Sequence, residues 1–136
     1  MSDPLQPITI GLAICAYRGH IGAIKRLLDS VAKQTRLPDQ VVLSCSSTLP
    51  SEFPYRQEDY PTFPLHCIVL EEYQCAAQNR NRAALQLQTD VISFMDADDI
   101  MHPQRLEIIL EGFRRCEGAK LFLHNTSTAE DALSRS

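Results

Sequence analysis

Residues 8–16, ITIGLAICA, form a nearly unbroken apolar run of strand length, and residues 20–34 follow with Ile21, Ile24, Leu28 and Val31 at helical spacing and Leu27 beside them. A strand open to water on one face alternates apolar and polar residues, whereas this run is apolar almost throughout. It fits a strand covered on both faces, as in a parallel sheet packed between helices. The amphipathic helix behind it supplies one such cover. This opening unit commits the chain to an α/β architecture, and the remainder repeats it.

QVVLSC (40–45), LHCIVLEE (65–72), VISFM (91–95) and KLFLH (120–124) read as four further strands. Residues 75–88 return to helical character, with Ala76, Arg80, Ala84 and Leu87 on the face expected to turn inward. Pro103 suits a first helical turn, Leu106, Ile109, Leu110 and Phe113 give the helix after it an apolar stripe, and Gly118 ends it. Residues 46–64 hold four prolines and little periodicity, which predicts a long irregular connection with one short helical turn. The alternation predicts a mainly parallel sheet with helices on both faces, in one minimal domain spanning 1–136 with flexible ends at 1–6 and 126–136.

A net charge of -4 argues against a general nucleic-acid binder, which would show a basic face. No apolar run exceeds strand length, so no transmembrane segment is expected. MSDPLQP lacks the basic and apolar regions of a secretion signal, and the five cysteines show no CxxC pairing. Both features point to a cytoplasmic protein with reduced, mostly buried thiols.

The chemistry concentrates in FMDADDIMHP (94–103), where a buried strand runs straight into three carboxylates within four positions. In open α/β sheets, ligands bind at the carboxyl ends of strands. Asp96 and Asp98 are two apart, so they converge if the chain stays extended there. Convergent carboxylates repel unless a cation lies between them, and a hard divalent ion such as Mg²⁺ or Mn²⁺ takes one or two carboxylates plus substrate phosphates. Helix capping explains one carboxylate, and Asp99 is the candidate for it, but leaves the other two unaccounted for.

Residues 76–99, AAQNRNRAALQLQTDVISFMDADD, resemble the inverting family-2 glycosyltransferases of GT-A (Rossmann-like) fold. The shared pattern is an Ala-rich turn, an Arg-Asn pair (Arg80-Asn81), a small-residue helix, a strand and then Asp-Ala-Asp-Asp. ITIGLAICAYR, DSVAKQT (29–35) and HPQRLE (102–107) also resemble that family's first strand, first-helix ending and post-motif helix. The resemblance implies binding of a nucleoside-diphosphate sugar, of UDP or GDP type, through Mn²⁺ or Mg²⁺. Asp96 would meet ribose or metal, Ala97 beside it would also contact the nucleotide, Asp98 would ligate the ion, and Arg80 would reach base or phosphates. Small Ala16 would allow close approach of the nucleotide and Tyr17 would pack on ribose or base, with core packing an equal account of Tyr17.

Two departures from the family pattern stand out. Strand two ends in Leu43-Ser44-Cys45-Ser46-Ser47 where the family typically has an Asp for the base, so Ser46 is expected to take that contact. The family's acceptor-binding half and general base come later in sequence than residue 136, which leaves the acceptor and the catalytic residues unassigned. A non-catalytic nucleotide-binding module is therefore the competing expectation, and a second copy of the chain is a candidate partner. A receiver-like phosphoacceptor with Lys120 fits poorly, because strand one ends in Cys-Ala-Tyr rather than in an acidic pair. His20, His66, His102 and His124 show no metal spacing and are expected at the surface or in caps.

Overall fold

The computed structural model describes residues 8–115. The expected strand at 120–124, the stop at Gly118 and both flexible ends lie outside the described residues.

Four strands, β1 (Ile10–Tyr17), β2 (Gln40–Ser46), β3 (Leu65–Val69) and β4 (Val91–Asp96), form one sheet in the order β3-β2-β1-β4, and every neighbouring pair is parallel. The register places Cys15 of β1 between Ser44 of β2 and Asp96 of β4, so the three strands end side by side. Among the described residues three helices cover the sheet: α1 (Ile21–Ala32), α2 (Ala76–Leu85) and α3 (Arg105–Arg115).

The two-residue strand period divides β1 between two packing layers. Ile10, Leu12 and Ile14 join Ile24, Leu27, Leu28 and Val31 of α1 and Leu106, Ile109 and Leu110 of α3 in the main core. Each of these side chains contributes roughly 1.5–3 kcal/mol when fully buried. Ala13 faces the other way and packs with Val42 and Ala83 of α2 in a second, smaller cluster. Small residues on that side let the α2 unit approach closely. A Cβ at Gly11 would lie 2.5 Å from Thr89 Oγ1 and 2.8 Å from Leu87 Cδ2.

The inward face of α2 differs from the expectation. Asn79 and Ala83 are buried, while Ala76 is exposed and Arg80 and Ala84 are half-buried. Alanines lie on both faces, so burying small apolar area does not choose between two rotations about 100° apart. The polar partners that Asn79 finds at the strand ends decide it.

The connection after β2 carries two 3-10 turns, Pro50–Glu52 and Gln57–Asp59, rather than one. It returns to the core through Tyr60 and Phe63, both buried, with Phe53 and Tyr55 packed against the same cluster. The segment behind the acidic motif is held equally firmly. Gln34 donates through Nε2 to His102 O at 2.6 Å and accepts from Leu106 N at 3.2 Å, while Thr35 N donates to Pro103 O at 2.8 Å. Met101 N donates to Ser30 Oγ at 3.4 Å. The polar end of DSVAKQT thus anchors the chain that follows Asp99.

Candidate functional site

A cavity of about 420 Å³ opens over the carboxyl ends of the strands and the start of α2. Cys15, Ala16 and Tyr17 enter from β1, and Asp96 and Asp98 from the end of β4. Ser47 enters beyond β2, Tyr73, Gln74 and Cys75 come from the β3–α2 connection, and Ala76 from the start of α2. The cavity lining is thereby split: carboxylates at the β4 end, neutral and aromatic groups toward the β2–β3 end.

The acidic triplet resolves its repulsion by giving each carboxylate a different environment. Asp96 Oδ1 accepts from Arg80 Nη2 at 2.8 Å and from Cys15 Sγ at 2.9 Å. Burial pushes the Asp96 carboxyl up, but these two hydrogen bonds and the guanidinium charge outweigh it and hold the group below the ordinary carboxylate range. Burial and the bond to Asp96 push the Cys15 thiol up to about 12, so it stays protonated and donates. The bond to Asp96 raises Arg80 above its ordinary value. Asp99 is nearly buried and turns back, accepting from Asp96 N through Oδ2 at 3.2 Å. Burial first, then the charges of Asp96 and Asp98, raise its carboxyl to about 6. It caps this local turn and not α3, which begins at Arg105. Asp98 is exposed, lines the cavity and carries no ion pair or hydrogen bond among the described residues.

Beneath the cavity, Asn79 joins three elements. Its Oδ1 accepts from Ser44 Oγ at 3.0 Å, and its Nδ2 donates to Ala16 O at 3.2 Å and to Ser46 Oγ at 3.0 Å. Each side chain in this network is buried, so each polar atom has to be satisfied within it. Tyr17 folds back over Gly19, where a Cβ would come within 2.7 Å of its ring, and meets His20 edge-on at 4.2 Å.

The predicted residues fall into two groups. Ala16, Tyr17, Asp96 and Asp98 line the cavity. Ser46 is fully buried and donates to Gln74 O at 3.2 Å; it is its neighbour Ser47, in the left-handed region at φ 54°, that lines the wall. A non-glycine residue there carries backbone strain, a feature that clusters at ligand sites. Ala97 is fully buried, its N–H bonded to Cys15 O at 3.0 Å, which extends the β1–β4 ladder. Arg80 is spent on Asp96. His20, expected at the surface or in a cap, is the N-cap residue of α1 and also lines the cavity. Cys15, Asn79, Ser47 and Gln74 were not singled out by sequence. Only Cys15 left a usable signal, since a residue at the end of β1 must sit beside the acid ending a parallel neighbour.

The sequence model of glycosyl transferase family 2 matches residues 12–128. The chain belongs to that family. As a family-2 glycosyltransferase domain it is similar in structure to S. aureus TarS 1-349 at TM-score 0.60 and 22% identity, covering 74% of this chain and 31% of that one. The same protein in complex with UDP-GlcNAc matches at TM-score 0.59 and 23% identity over 74% and 30% of the two chains. The mannosyltransferase PcManGT from Pyrobaculum calidifontis, in complex with GDP-Man and Mn²⁺, matches at TM-score 0.62 and 22% identity over 76% and 32%. These are GT-A glycosyltransferases, and this family-2 domain shares their fold while spanning about a third of their length. No curated protein sequence matches it. Among the described residues, no helix is long and apolar enough to cross a membrane.

Proposed function

We propose that this family-2 domain binds a nucleoside-diphosphate sugar at the strand ends and serves as the donor half of an inverting glycosyl transfer to an acceptor. The observation that carries the reading is that Asp98, without a hydrogen-bond or ion-pair partner among the described residues, and Asp96 line one cavity large enough for a small ligand. Their oxygens suit a hard divalent ion, and Asp98 with the unshared oxygen of Asp96 would hold Mn²⁺ or Mg²⁺. Among the described residues no group of three or more His, Cys, Asp or Glu could hold an ion; in this reading the ligand's phosphates would supply the remaining oxygens. A bound ion there supplies positive charge against the diphosphate as the sugar departs.

The protein's own groups do the rest. Arg80 and Cys15 fix one oxygen of Asp96, so the carboxylate keeps its orientation and its charge when a ligand arrives. Ala16 leaves room for the nucleotide, and Tyr17 and Tyr73 offer aromatic surface to base or ribose. The helix α2 begins at the cavity wall and carries Arg80 to Asp96.

Calorimetric titration of uridine and guanosine diphosphates, with and without Mn²⁺, tests the proposal on wild type and Asp98→Ala. Mn²⁺-dependent binding that the substitution abolishes is expected. Equal binding by both proteins removes Asp98 from its role. Mn²⁺-dependent binding with no transfer or hydrolysis of any nucleotide sugar makes the domain a binding module instead.

A further inference from the structure

Gln74 lines the cavity on the side away from the carboxylates, in the connection that follows β3. Its backbone contact with Ser46 sets it at the end of β2, two strand intervals from β4, roughly 10 Å at about 4.8 Å each. A nucleotide held by its diphosphate near Asp96 and Asp98 therefore extends its base toward the Gln74 side.

Two contacts fix Gln74. Its backbone O accepts from the buried Ser46 Oγ at 3.2 Å, which holds the loop. Its side-chain Oε1 accepts from Arg82 Nη1 at 3.3 Å and Nη2 at 3.2 Å. A guanidinium has donors only. It can engage the amide oxygen and never the amide nitrogen, so Arg82 dictates which way round the amide sits. The Nε2 donors have no partner among the described residues and are the end left for a ligand. Ser47 and Tyr73 on this wall carry hydroxyls that donate or accept and so impose no preference of their own.

The geometry points to Gln74 as a base selector, locked by Arg82 as a hydrogen-bond donor, which favours bases carrying a keto oxygen over bases carrying an amino group. Uracil and guanine present O4 and O6 acceptors where cytosine and adenine present N4 and N6 donors. A donor facing an acceptor gains a hydrogen bond, whereas a donor facing a donor leaves both unpaired in a partly dry site. Gln74 is the specificity-determining residue and Arg82 a positioning residue acting through it. This inference rests on the nucleotide reading above.

The test compares bases of equal size: uridine against cytidine diphosphate and guanosine against adenosine diphosphate, each titrated calorimetrically with Mn²⁺. Wild type is expected to prefer the keto base by roughly tenfold in each pair, the worth of one hydrogen bond. Arg82→Met frees the amide to turn over, so the ratio collapses toward one while the summed affinity changes little. Gln74→Glu leaves only acceptors beside Arg82, and the ratio inverts. Circular dichroism on both variants confirms the fold. Diphosphates that bind with equal affinity within each pair, or ratios unmoved by both substitutions, overturn the selector and leave the nucleotide site standing. Failure of all four diphosphates to bind wild type overturns both.

Discussion

Asn79→Ala removes the amide that ties α2 to the ends of β1 and β2. Three hydrogen bonds disappear, to Ser44, Ala16 and Ser46, at distances of 3.0, 3.2 and 3.0 Å. At about 1 kcal/mol net for each, the loss is about 3 kcal/mol, and more where a buried partner is left unpaired. Ser46 keeps its bond to Gln74 O, so its hydroxyl stays satisfied; Ser44 keeps none among the described residues and is fully buried, which adds to the cost. Against a typical total of about 5–15 kcal/mol the change is large. Urea unfolding followed by circular dichroism measures it: at a slope of about 1–3 kcal/mol per molar, the midpoint should fall by about 1–3 M with the slope unchanged. Asn79→Asp keeps the size but replaces the Nδ2 donor with a buried carboxylate oxygen facing Ala16 O. It should be at least as damaging at neutral pH and partly relieved in acid. A loss below about 1 kcal/mol for Asn79→Ala would refute the claim that this amide chooses the rotation of α2.

Other consequences can be checked independently. Gly11→Ala drives a Cβ into Thr89 and Leu87 and should cost about 1–3 kcal/mol in thermal unfolding, because an overfilled interface has to shift; an unchanged melting temperature would show that the α2 layer is loosely packed. Asp99 has a folded-state pKa of about 6 against an ordinary 3.8, so its contribution to stability is fully present below the lower value and is lost as pH rises through the higher one. The stability of Asp99→Asn relative to wild type should therefore grow between pH 4 and 7, by no more than about 3 kcal/mol, in urea titrations run with a chelator; a difference flat in pH would contradict the buried carboxyl. Arg80→Met withdraws the cation from Asp96, whose carboxyl should then titrate at higher pH in an NMR experiment on its side-chain carbonyl. An unmoved titration would mean that the 2.8 Å ion pair is not formed in solution.

The periodicity of the chain was enough to specify the layered α/β fold. ITIGLAICA could be stable only between two layers, and the stripes of α1 and α3 fall where apolar spacing puts them, because burial of large aliphatic side chains dominates those elements. Asp96 and Asp98 were legible for a related reason: the end of a parallel strand is a defined place, and an acid there is conspicuous. What sequence left open was every choice made by polar groups acting across strands. The rotation of α2, the burial of Ser46 with Ser47 presented in its place, the thiol of Cys15 on Asp96 and the orientation of Gln74 by Arg82 each join residues 8 to 81 positions apart. Hydrophobic burial is additive and nearly directionless, so a one-dimensional pattern records it; a hydrogen bond exists only when donor and acceptor meet in distance and angle, and the packed sheet alone determines that meeting.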